Sequence, residues 1–235
     1  MIKRLTRGLR SRLDRWMMGV VSRAIFRRGP YDYVALAYFK AGMEAAEFFR
    51  ENMALAEDLE TKAKLLEFAA SRVKADGLWL EFGVFRGRDI RVLSQYAKGK
   101  IYGFDSFEGL PEDWTFFQRK GRFSLEGQLP DVPENVELIK GWFDITLPDF
   151  LAANDNPIAF LHIDSDLYSS AKYVLTQVCD RLQAGTIILF DDFLNYPDWK
   201  SGEAKAFFEV TEENGLKFEF IGFSARQQAV AIQIK

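Results

Sequence analysis

Leu78-Trp79-Leu80-Glu81-Phe82-Gly83-Val84-Phe85-Arg86-Gly87 is a short apolar run closed by two glycines. Such a run reads as a buried strand turning into a helix. Gly83 supplies the turn, because a residue without Cβ takes positive φ and lets a ligand approach the backbone; Gly87 does the same at the helix entry. Asp89 suits the N-cap of that helix. The G-x-x-x-G spacing is not the G-x-G-x-x-G that lays a pyrophosphate on a helix N-terminus. The ligand expected here therefore carries no diphosphate at this point.

Outward from this strand at 78–83, similar runs recur at 100–105, 136–141, 157–164 and 186–191, with helical patterns at 89–98, 146–154 and 169–183. That alternation indicates a parallel sheet with helices on both faces. After a helix near 202–214, the runs Leu216 to Phe223 and Gln227 to Ile234 are linked only by Ser224-Ala225-Arg226. So short a link makes an antiparallel hairpin and cannot make a parallel crossover. The expected class is α/β: a Rossmann-like, doubly wound, mostly parallel seven-stranded sheet with an antiparallel C-terminal hairpin strand, plus N-terminal helices. Residues 31–75 read as two helices capping a Rossmann-like core at 78–235. No repeat or low-complexity linker divides 31–235, which is expected to be a single domain.

The 48% apolar and 15% aromatic content excludes disorder, and no uninterrupted run of 18 apolar residues marks a transmembrane helix. The lone Cys179 excludes an internal disulfide framework, fits a reducing, cytoplasmic compartment and reads as a buried structural thiol on a helix stripe. The net charge of −3 hides an asymmetry, since residues 1–30 carry nine Lys/Arg against Asp14 alone. The acidic remainder argues against nucleic-acid binding, which needs a basic face across the fold. Within the arm at 1–30, Ile2, Leu5, Leu9, Leu13, Trp16, Met17, Val20 and Ala24 recur at helical spacing among the arginines. Residues 1–28 are thus expected to form a basic amphipathic helix, suited to lying on an anionic membrane surface or to packing on the body or on a partner subunit such as a second copy.

Chemistry-bearing residues gather at the carboxyl ends of these strands, the edge where open α/β sheets bind ligands. Asp105 closes the second strand 22 residues after Gly83, about where an acid binds ribose hydroxyls. Trp142 and Phe143 follow the third strand and either sandwich a base or pack in the core. Asp164, Asp166, Asp191 and Asp192 end two strands that should be neighbours, where unscreened carboxylates repel. A divalent cation such as Mg²⁺ removes that conflict, and a carboxylate outside the metal shell can take a proton. Taken singly, each is equally a helix cap or a solvated strand end. His162, the only histidine, shares strand parity with Asp164 and is either a hydrogen-bonded core residue or a catalytic base.

Together, Asp105-Ser106-Phe107-Glu108-Gly109-Leu110-Pro111, Gly141-Trp142-Phe143 with Thr146-Leu147-Pro148, Asp164-Ser165-Asp166-Leu167-Tyr168-Ser169-Ser170 and Asp191-Asp192-Phe193 resemble the macrocin O-methyltransferase family. That family belongs to the class I S-adenosylmethionine-dependent methyltransferases, and its members methylate sugar hydroxyls of natural products. The resemblance covers roughly residues 78–235. It implies that Asp164, Asp191 and Asp192 hold the metal and that Asp166 is the general base; His162 is the second candidate for proton transfer on its strand parity alone. It also implies that Glu81, Gly83, Asp105, Ser106 and Phe143 contact S-adenosylmethionine, and the strand, turn and aromatic pair add Phe82, Gly87 and Trp142 to the expected donor contacts.

Two departures stand out. Asp89 replaces the usual Ser or Thr. The segment 112–135 is short, aromatic and basic (Trp114, Phe116, Phe117, Arg119, Lys120, Arg122, Phe123), suiting a lid over an acceptor that need not be a macrolide. The expected activity is Mg²⁺-assisted O-methylation of a sugar or glycosylated small molecule. Its rivals are a nicotinamide-dependent oxidoreductase, supported by the glycine turn and Asp105, and a donor-binding partner protein without chemistry.

Overall fold

The computed structural model describes residues 32–115 and 117–235, so the basic arm at 1–30 and Phe116 lie outside it. Helix α1 (Tyr33–Asn52) starts at Asp32, whose carboxylate accepts from the Ala35 N–H at 3.0 Å. A two-residue strand β1 (Glu57–Asp58) precedes helix α2 (Lys62–Arg72), capped by Thr61. The alternating part follows: β2 (Leu78–Phe82), α3 (Arg88–Leu93), β3 (Ile101–Asp105), β4 (Val136–Lys140), α4 (Phe143–Ala153), β5 (Ile158–Ile163), α5 (Tyr168–Val178) and β6 (Leu182–Phe190). Helix α6 (Glu203–Glu213) and the hairpin β7 (Phe218–Phe223) and β8 (Val230–Ile234) complete it.

One sheet in the order β1-β7-β8-β6-β5-β2-β3-β4 joins all the strands. Strand β8 runs antiparallel to both β6 and β7, and the other pairs are parallel. The sheet has eight strands against seven expected; the addition is β1, too short and polar to leave a periodic signal. The helices lie on both faces. Ala41, Leu147, Val174 and Phe207, from α1, α4, α5 and α6, belong to one apolar core. Leu65 and Ala69 of α2 and Ile90 and Leu93 of α3 belong to the other. Every residue of β2 and β5 is buried, as fits central strands covered on two sides.

Two helices are shorter than their patterns suggest. That expected over 89–98 ends at Leu93, where the Ser94 hydroxyl donates back to the Arg91 carbonyl. That expected over 169–183 gives way after Val178 to a 3₁₀ turn, Cys179–Arg181. Cys179 is consequently half-buried at a helix end and not a buried core thiol.

Candidate active site

Backbone hydrogen bonds align the strand ends along one edge. Gly83 N–H donates to the Phe104 carbonyl, Asp164 N–H to Phe82 and Asp191 N–H to Ile163, each at 2.9 Å. Beside this edge opens a cavity of about 690 Å³, a size that suits a nucleoside-bearing ligand. Gly83, Asp105, Ser106, Trp142, Phe143, Asp164, Asp166 and Asp191 all line it, as do Phe85, Phe123 and Tyr173. Gly83 has φ of 95°, and a Cβ there would stand 1.8 Å from the Asp164 carbonyl oxygen. Only glycine lets the first turn close against the fourth strand end.

Asp105 binds two loops before it binds any ligand. Its Oδ2 accepts from the N–H groups of Val84 and Phe85 at 2.9 and 2.7 Å, and its Oδ1 from Phe107 at 2.7 Å. One lone-pair position on Oδ1 stays available to hydroxyl groups in the cavity. Phe143 stands edge-on to Phe82, ring centroids 5.3 Å apart, while Trp142 is 37% exposed at the rim. An acid with a free lone pair beside apolar rings on a glycine turn fits a ribose and base.

Three of the expected donor contacts, Phe82, Gly87 and Glu81, and the expected catalytic His162 do not line the cavity. Phe82 is stacked on Phe104 in the core, and Gly87, in the left-handed region at φ 69°, is the N-cap of α3. The register pairs Glu81 with His162, and both are essentially inaccessible. Glu81 Oε2 lies 3.3 Å from His162 Nδ1. Burial pushes the Glu81 carboxyl up to about 7, while Glu81 raises His162 against the burial that would lower it. His162 is thus a core residue bound to an acid; as a catalytic base it would reach no substrate in the cavity.

The acidic strand ends do converge, but around a partner absent from every motif. Lys62 Nζ lies 2.6 Å from Asp89 Oδ2, 3.1 Å from Asp164 Oδ2 and 2.5 Å from Asp191 Oδ1. Although burial opposes its charge, Asp164, Asp191 and Asp89 hold the Lys62 proton far above the ordinary lysine range. Asp89 therefore pairs with a lysine instead of capping α3. Burial and the charge of Asp164 push Asp191 up to about 7 in spite of Lys62.

On the far side Asp166 and Asp192 form a second, more buried pair. Burial and neighbouring carboxylates raise both well above the usual range. Glu203, at the start of α6, fastens this side. Its Oε1 accepts from the Ser165 N–H and hydroxyl, both at 3.1 Å, and its Oε2 from the Asp192 N–H at 3.4 Å.

The expected metal set is not assembled as such. Among the described residues, ligand atoms within 4.8 Å of one another form the groups Asp89, His162, Asp164 and Asp164, Asp166, Asp192. The Lys62 ammonium stands against Asp89 and Asp164 of the first group, and Asp164, which it holds at 3.1 Å, is also a member of the second. As arranged, these residues do not fit the Mg²⁺ site inferred from the sequence.

Asp166 and Ser169 also line a second cavity of about 460 Å³. Tyr38, Trp114, Phe117, Arg119, Tyr168 and Tyr196 form its walls, so part of the aromatic, basic segment 112–135 borders it. Ser169 donates to Glu112 at 2.6 Å between the two cavities. Asp166 sits in the left-handed region at φ 62°, strained backbone of the kind that gathers at functional sites.

Residues 80–193 match the family described as a methyltransferase domain. A tetracenomycin rhamnosyl 4'-O-methyltransferase of Streptomyces olivaceus is 28% identical over 54% of this chain and 58% of its own length. Demethyldecarbamoylnovobiocin O-methyltransferase of Streptomyces niveus is 27% identical over 56% and 54%. The chain thus spans little more than half the length of these curated relatives. The crystal structure of the calicheamicin methyltransferase CalS11 superposes with a TM-score of 0.59 at 22% identity, covering 90% of this chain and 96% of that one. The fold is shared.

Proposed function

We propose that this chain, a class I S-adenosylmethionine-dependent methyltransferase, methylates a hydroxyl oxygen of a sugar or glycosylated small molecule, with Asp166 as the base. The observation that carries the reading is that Asp166 borders both cavities, one suited to the donor and one left for an acceptor. Aromatic walls with Arg119 and Glu112 nearby suit a sugar ring, which offers apolar C–H faces and hydroxyls together. Both curated relatives are named as O-methyltransferases, and the name of the first carries a rhamnosyl group on its substrate, which favours the same acceptor class. Nothing comparable favours the oxidoreductase rival.

S-adenosylmethionine supplies an electrophilic methyl group on a sulfonium. Asp105 receives its ribose hydroxyls and Trp142 and Phe143 flank its base, while Gly83 gives the ligand access to the backbone. Asp166 accepts the acceptor hydroxyl's proton as the new C–O bond forms and the C–S bond breaks, leaving a thioether, a methyl ether and a protonated Asp166. The raised affinity of Asp166 for protons makes it a stronger base than an exposed aspartate.

A screen of carbohydrate and phenolic acceptors with isotopically labelled donor tests this. Labelled methyl ether on a sugar hydroxyl is expected. Donor binding without turnover across the screen would favour a binding protein without chemistry.

A further inference from the structure

Lys62 lies on α2, outside the residues that match the methyltransferase domain, and no motif nominated it. An ammonium has three donor hydrogens, and three carboxylates stand within 3.1 Å of this one. The side chain is only 22% exposed. Its helix entry is held from behind by the terminal hairpin: Leu59 N–H donates to the Phe223 carbonyl at 2.9 Å, the Ser224 hydroxyl to the Glu60 carbonyl at 3.1 Å, and Lys62 N–H to the Gln227 side chain. The lysine is thus built into the acidic cluster from two sides. A Mg²⁺ ion would need carboxylate oxygens at roughly 2.0–2.1 Å, in the space Nζ fills, and two cations cannot share it.

We propose that the Lys62 ammonium is the resident cation of this site, standing where a divalent metal would otherwise bind, so that the enzyme works without added metal. Lys62 acts as a positioning residue: it neutralises Asp89, Asp164 and Asp191 and fixes the strand ends that flank Asp166. Removing the ammonium leaves three converging carboxylates, which is the oxygen set a divalent ion seeks.

The test titrates the full chain with Mn²⁺ by calorimetry and paramagnetic resonance, with S-adenosylhomocysteine binding as the check on folding. The wild type is expected to show no stoichiometric Mn²⁺ site below ~1 mM, and Lys62→Met to gain one at least ~10-fold tighter. Lys62→Arg, which keeps the charge, should gain none, and adding Asp191→Asn to Lys62→Met should abolish the gain. A wild-type chain binding one Mn²⁺ tightly overturns the proposal even if the variants do not fold. So does a Lys62→Met chain that binds S-adenosylhomocysteine but no Mn²⁺. A chelator arm rests on the proposed methyl transfer: turnover unchanged within twofold supports the inference, and its loss overturns it. Should no acceptor be methylated, the Mn²⁺ results still decide the question, so the two readings fail separately.

Discussion

The donor half and the acid half of this site are built on opposite principles. Around Gly83, Asp105 and Phe143 the ligand-facing atoms are held by nearby backbone: Asp105 accepts from Val84, Phe85 and Phe107 and still faces an open cavity. Around Asp164, Asp166, Asp191 and Asp192 the acids are buried and are served by side chains from distant helices: Lys62 from α2 supplies the counter-charge, and Glu203 from α6, a further acid, holds the Ser165 and Asp192 backbone. The first arrangement holds a ligand by shape and a few polar contacts. The second keeps several acids together in a poorly solvated place, where each depends on its neighbours' protons and charges. Damage to the donor half should weaken binding, whereas damage to the acid half should stop chemistry.

The largest expected effect divides the halves most cleanly. Asp166→Asn should lower kcat by ~10²–10⁴-fold, the usual worth of a positioned base, and leave donor affinity within a few fold. If donor binding collapses instead, the two halves are one unit. Asp105→Ala should do the converse and weaken donor binding by ~10–100-fold, because it removes both the ribose acceptor and the tie between two loops. Calorimetry with S-adenosylhomocysteine reads this, and unchanged affinity would remove Asp105 from the donor half. Glu203→Ala should slow turnover about tenfold with donor affinity preserved, since two backbone N–H groups beside the acids lose their acceptor.

The smallest effect concerns the pair beneath the floor. Glu81 and His162 both hold protons more tightly folded than unfolded. The stabilisation from Glu81 is therefore full below the ordinary glutamate range and is lost as pH rises through about 7, while that from His162 is full below the ordinary histidine range and is lost above it. Thermal unfolding from pH 4.5 to 8 should show this decline, and Glu81→Gln should flatten it by a few degrees at most. A decline unchanged in Glu81→Gln would assign it elsewhere.

This contrast also explains what could be read from the chain. The donor half is local: a strand, a glycine turn and an acid one strand later are adjacent in sequence, so Gly83, Asp105, Ser106 and Phe143 were legible as cavity residues. The sheet was legible for the same reason, through its alternation and the three-residue hairpin link. Lys62 and Glu203 were not, because a lysine in Thr61-Lys62-Ala63-Lys64 looks like any solvated helix residue. Its partner Asp164 lies 102 residues away. The metal was inferred from counting acids at strand ends, a count that could not include the lysine folding back onto them. Glu81 and His162 were misjudged because their residue types suggest reactivity, whereas the register pairs them with each other in the core.

The tie between the start of α2 and the terminal hairpin bears on the order of assembly. The acids of β5 and β6 leave the ribosome before the turn at Ser224–Gln227, which anchors Lys62 from behind. Until that last segment is made, the nascent sheet lacks the clasp that holds its counter-charge in place. Truncation within the final twenty or so residues should therefore leave a chain with its strands complete through β6 and its acids poorly restrained, an early substrate for proteolysis.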